Sequence, residues 1–165
     1  MNFERTNVRM SKVDVALVDE HFMHGKVALN LCSNYDCQLI IVVNDALVDD
    51  KTQQGLLEMS IPDEINTRFY SIDKAVSKLH SEDKKSSVIV VKSLEDMITL
   101  FEAGVVIPKM LLCSLPHEPG MVELNGDVSV SESQIDKLKL MKDNGTQIYI
   151  GKNVDEKPEL LKLVD

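Results

Sequence analysis

Two apolar runs constrain this chain more than any other feature. Residues 38–44 read Gln-Leu-Ile-Ile-Val-Val-Asn and residues 86–92 read Ser-Ser-Val-Ile-Val-Val-Lys. A strand with one face in water alternates polar and apolar residues. A strand with no polar relief needs cover on both faces, as in the middle of a parallel sheet. The segments between and around these runs show helical spacing, so the chain reads as βαβ units with right-handed crossovers. Further strands are predicted at residues 13–18, 67–72, 109–114 and 146–150.

Helices are predicted from apolar spacing and end signals. One runs over residues 25–36, with Val27, Leu31 and Tyr35 on its apolar face. A second covers residues 46–60, with Leu47, Leu56, Leu57 and Met59 inward and Pro62 as its stop. Asp73 is placed to cap a third, running to about residue 81. Ser93 caps a fourth, which Gly104 ends, and Ser131 caps a fifth, which Gly145 ends. Residues 115–130 read as a long loop with one short strand, and residues 158–164 as a short C-terminal helix. The expected fold class is α/β: an open, mainly parallel sheet with helices on both faces. A single domain over residues 13–165 is expected, preceded by an extension of residues 1–12.

Composition narrows the function. Eighteen Lys and Arg against 27 Asp and Glu give a net charge of -9. Nucleic acid and anionic lipid surfaces both select positive potential, so neither is expected as a partner. No apolar leader opens the chain and no stretch is long enough for a membrane span. Cys32, Cys37 and Cys113 are odd in number and lack metal-ligand spacing, so they read as buried, reduced thiols of a cytosolic protein.

Ligands of open α/β sheets bind beyond the carboxyl ends of the strands. The loops to inspect are therefore residues 19–25, 44–50, 92–95 and 114–127. The first places His24 directly before a helix that starts at Gly25. Free amides and the dipole at a helix start favour anions and keep a histidine there neutral, hence nucleophilic. Lys26 adds a cation in the first turn, against the usual dipole preference. Spacing alone leaves His21 and His24 readable as ordinary loop histidines. In the second loop, Asn44 and Asp45 suit backbone capping better than a metal site. Neither of the familiar glycine-rich nucleotide cradles occurs, and no cofactor or metal is expected.

The residues of the first loop resemble the cytoplasmic IIB component of mannose/fructose/sorbose-type sugar phosphotransferase systems. That family opens on R-I-D-x-R-L-I-H-G-Q-V. This chain has Leu17-Val18-Asp19-Glu20-His21-Phe22-Met23-His24-Gly25-Lys26-Val27 in the same frame. The resemblance continues through IIVVND (40–45), LLEMSIP (56–62), VIVVKS (88–93), LFEAGV (100–105) and DVSVSESQIDKLKLMKDNG (127–145). It implies a protein-N(pi)-phosphohistidine–sugar phosphotransferase. A phosphoryl group would pass from phospho-IIA to His24, and on to a hexose-type sugar at the membrane components IIC and IID. The protein would be cytoplasmic and peripheral to the membrane through those components. Asp19 and His21 would serve beside His24, and the amides of Gly25, Lys26 and Val27 would hold phosphoryl oxygens. Asp45, Ser114 and His117 form a second tier. Phe22 and Met23 read either as docking anchors or as packing for the loop. Homo-oligomerisation is left open.

Two departures stand out. The family's arginines fall on Leu17 and His21, and its N-V-G-G-M loop is replaced by residues 113–121, Cys-Ser-Leu-Pro-His-Glu-Pro-Gly-Met. The alternative is therefore a diverged IIB-like protein that binds partners with weak or no phosphotransfer. An unrelated α/β module, receiver-like or flavin-binding, is a third reading.

Overall fold

The computed structural model describes residues 13–22, 32–34, 37–80, 86–151 and 159–160, the last two by backbone only. The proposed extension, His24, Gly25, Lys26, Val27, Met23 and most of the first predicted helix lie outside the described residues. Of that helix, residues 32–34 are described and are helical.

The strands are β1 (Val13–Asp19), β2 (Leu39–Val43), β3 (Asn66–Tyr70), β4 (Ser87–Val91), β5 (Lys109–Ser114), β6 (Val122–Asn125), β7 (Val128–Val130), β8 (Gln147–Ile150) and β9 (Glu159–Leu160). The helices are α1 (Lys51–Met59), α2 (Ile72–Leu79), α3 (Leu94–Glu102) and α4 (Glu132–Asp143). One sheet has the order β3-β2-β4-β1-β5-β8-β9. All neighbouring pairs are parallel except β8 with β9. β6 and β7 form a separate antiparallel hairpin.

Side-chain alternation along the strands divides the core into two layers. Ala16, Val18, Ile41, Val43, Ile89, Val91, Met110 and Leu112 pack with α2, α3, α4 and the hairpin. Val15, Leu17, Ile40, Val42, Val88 and Val90 pack on the other face with Leu57 of α1, Leu47, Cys32, Cys37 and Phe22. The two apolar runs of the sequence are β2 and β4, and every residue of β4 is buried. Full burial of a Leu, Ile or Met side chain contributes about 1.5–3 kcal/mol, so these central strands dominate the stability.

Four expectations change. The helix over residues 46–60 is a short 3-10 turn, Leu47–Asp49, followed by α1. Asn44 Oδ1 accepts the amides of Ala46 at 3.0 Å and Leu47 at 2.9 Å, which holds the chain in a turn. Asp50 then caps α1 by accepting from the Gln53 amide at 3.0 Å. The later start turns Gln54 and Leu57 inward, while Leu56 and Met59 are exposed. α2 is capped by Ser71, with Asp73 inside its first turn. The loop after β5 holds two strands, because Asn125 Oδ1 accepts the Asp127 amide at 2.9 Å and closes a hairpin turn. Residues 159–160, expected as helix, pair with β8 instead.

The capping box of α4 is complete: Ser131 Oγ accepts the Gln134 amide at 3.2 Å, and Gln134 Oε1 accepts the Ser131 amide at 2.9 Å. Ser131→Ala is expected to lower the unfolding free energy by about 1 kcal/mol. Urea denaturation checks this, and an unchanged midpoint would assign the helix start to Gln134 alone.

Candidate functional site

The connections leaving β2 and β4 diverge. β2 leads outward to β3, whereas β4 leads across β1 to β5. Such a divergence opens a crevice at the carboxyl ends of the strands. A cavity of about 530 Å³ lies there, lined by Glu20, His21 and Phe22 after β1, Asn44, Ala46, Leu47, Asp50 and Gln53 after β2, and Lys92 after β4.

The segment after β1 is a tight turn. Asp19 is buried, and its Oδ1 accepts the His21 amide at 2.9 Å. The Phe22 amide donates to the Asp19 carbonyl at 2.8 Å. The Glu20 amide donates to the Ser114 carbonyl at 2.9 Å, and Ser114 Oγ donates to Glu20 Oε1 at 3.3 Å. The end of β5 thus clamps the turn. His21 Nε2 lies 3.2 Å from Glu20 Oε1 on an exposed imidazole.

Phe22 has φ +67°, the one non-glycine residue with positive φ among those described. For a bulky residue that conformation costs roughly 1–2 kcal/mol. It persists because the ring is buried in the α1-side core, at 7% exposure. Of the two readings of Phe22, the ring packs the loop onto the sheet. An exposed docking anchor is excluded, because too little of it is accessible.

The second-tier residues separate. Ser114 joins the turn. Asp45 faces the other layer, where its Oδ1 accepts the Ile72 amide at 2.8 Å and ties β2 to the start of α2. Nearby, burial pushes the Asp96 carboxyl up, reinforced by the charges of Asp45 and Glu95. His117 is held by Ser129, Nδ1 to Oγ at 3.1 Å, beside the hairpin. Neither Asp45 nor His117 lines the cavity.

Cys32 and Cys113 are poor nucleophiles. Burial pushes Cys113 up to about 12, with a smaller push from the Asp19 charge. Burial, together with the neighbouring Cys37, pushes Cys32 up to about 12. At neutral pH such groups keep their protons, and the thiol form does not attack phosphorus effectively. Among the described residues no three His, Cys, Asp or Glu side chains are grouped to hold a metal.

Sequence reasoning gave Lys92, Asp50 and Gln53 no site role. Lys92 directly follows an apolar strand, so its place at a strand end was visible. That it shares a cavity with the β1 turn depends on β4 lying next to β1, which the sequence order conceals.

A family described as "PTS system sorbose subfamily IIB component" matches residues 13–164. The N-acetylgalactosamine-specific phosphotransferase enzyme IIB component 2 of Escherichia coli is 26% identical over 94% of this chain and 100% of its own length. The mannose-specific EIIAB component of Escherichia coli is 23% identical over 92% of this chain and 48% of its own. The crystal structure of manxB from Thermoanaerobacter tengcongensis superposes with TM-score 0.81 at 17% identity, covering 92% of this chain and 93% of that one. At that identity the likeness shows the fold alone.

Proposed function

The chain belongs to the sorbose subfamily of phosphotransferase-system IIB components, and from that premise we propose that it carries a phosphoryl group on His24. The group arrives from phospho-IIA and leaves to a hexose-type sugar at the membrane components IIC and IID. The chain is then a protein-N(pi)-phosphohistidine–sugar phosphotransferase working at the cytoplasmic face. The mannose-specific relative, whose name joins a IIA and a IIB component, supports IIA as the partner.

One observation carries the reading. The clamped turn of residues 19–22 ends at the rim of the strand-end cavity, two residues before His24. Transfer between imidazoles has a loose transition state, so the protein's work is positioning and charge stabilisation. Asp19 and His21 shape the approach to His24. Gly25, Lys26 and Val27 supply amides for the phosphoryl oxygens. The alternative, a diverged protein that docks IIA without accepting phosphate, is favoured by Leu17, which is fully buried where the family has an arginine.

Incubation with phosphorylated IIA tests both. One acid-labile phosphoryl group, mapped to the peptide bearing His24, is the expected result. Docking without label would establish the alternative, and label on another residue would reject His24.

A further inference from the structure

The phosphoryl group needs positive charge, and the described residues near the site supply little of it. Position 17 offers none, because Leu17 is a core residue with 0% exposure. The His21 imidazole already lies 3.2 Å from the Glu20 carboxylate. The cations around the strand ends are mostly engaged. Lys74 sits 4.9 Å over the Tyr70 ring. Lys51 Nζ donates to Gln54 Oε1 at 3.5 Å. Arg68 donates to the neighbouring Thr67 carbonyl at 3.0 Å, out on strand β3.

Lys92 differs. It is exposed, follows the central strand β4, and lines the cavity with the β1 turn. The other charged groups lining that cavity already have partners. Glu20 takes His21 and Ser114, and Asp50 takes the Gln53 amide. No ion pair joins Lys92 to a described carboxylate. A lysine is a compact charge on a flexible four-carbon stem, able to follow a group that moves between partners. In sequence, His24 follows two residues after Phe22, which lines the same cavity.

Resting on the phosphotransfer reading above, we infer that Lys92 is the cation that holds the phosphoryl group as it arrives at and leaves His24. In the transfer, the P–N bond to the donor imidazole breaks while a P–N bond to His24 forms. The donor nitrogen keeps the electron pair. Lys92 forms no covalent bond and moves no proton; its ammonium faces the phosphoryl oxygens. It stands in for the charge that Leu17 cannot supply.

The test measures phosphoryl uptake by the full chain from two donors, phosphorylated IIA and phosphoramidate. With phosphoramidate, ammonia leaves and no protein docking is involved. Lys92→Gln is expected to slow uptake from both donors by about 10- to 100-fold. Lys92→Arg should stay within about threefold of wild type, since the charge is kept. The thermal midpoint of Lys92→Gln should lie within about 2 °C of wild type, as for an exposed side chain without partners. Uptake by Lys92→Gln at the wild-type rate overturns the inference. A loss confined to phospho-IIA also overturns it, because Lys92 would then serve docking. His24→Ala separates the two failures: label on that variant rejects the phosphohistidine reading itself, whereas an inert His24→Ala beside a fast Lys92→Gln rejects Lys92 alone.

Discussion

Placing arginine at position 17, where the family has one, is expected to destabilise this chain by about 3 kcal/mol or more. Leu17 is fully buried at the centre of β1, in register with Val90 of β4 and Leu111 of β5. Its layer contains Val15, Phe22, Ile40 and Val42. A guanidinium there is larger than leucine and loses its water, and overpacking and charge burial each cost kcal/mol amounts. Asp19 lies two residues on, on the same face, but its Oδ1 already accepts the His21 amide. Breaking even would require a well-made new pair. Leu17→Met, which keeps volume and polarity, should cost less than about 1.5 kcal/mol. His21→Arg should change stability by no more than about 0.5 kcal/mol, since its side chain is 65% exposed. Urea unfolding of the three variants decides the matter. A loss below about 1 kcal/mol for Leu17→Arg would mean that Asp19 and the cavity receive the guanidinium, and that the leucine is incidental.

This contrast bears on function. If arginine cannot be restored at position 17 without unfolding, the departure from the family signature is built into the core. Positive charge for the phosphoryl group must then come from Lys26, two residues beyond His24 in sequence, or from another strand end. That is the physical setting in which Lys92, at the end of β4, acquires its role.

Fold and site were legible in the sequence to different degrees. β2 and β4 were readable because a run such as Val88–Val91 has only one low-cost environment, a sheet covered on both faces. The existence of α1 to α4 was readable, but their boundaries were not, and a strand lies at residues 159–160 where a helix is expected. Asn44 and Asp50 both look like caps, and only the fold shows that Asn44 turns the chain and Asp50 starts α1. The hairpin of β6 and β7 reads as a loop with one short strand because its strands are short and Val122, Glu123 and Asn125 alternate weakly. At the site, the strand-end loops were identifiable from alternation alone. Strand order was not, so the sequence set residues 92–95 at the same rim as His21 without showing that Lys92 and His21 share a cavity. The left-handed backbone at Phe22 was also hidden, because a phenylalanine gives no signal for positive φ.

That backbone makes Phe22 the position of the second large effect. Phe22→Ala is expected to cost about 3–4 kcal/mol, the lower part of the range for buried aromatics, because the ring closes one end of its layer. Phe22→Gly removes more atoms yet should be the more stable of the two, by about 1 kcal/mol. Glycine adopts φ +67° without the Cβ penalty that alanine keeps. Elsewhere in a fold the order is normally reversed, since glycine loses more entropy on folding. Urea unfolding measures the order directly, and an alanine variant more stable than the glycine one would show that the turn does not hold residue 22 left-handed. Phosphoryl uptake then links the turn to chemistry. Both variants lose the ring that anchors residues 19–22 to the sheet, so both should take up phosphate more slowly than wild type. Slow uptake in both, with the stability order reversed, is the joint result expected if the strain at Phe22 fixes the path of the chain into His24.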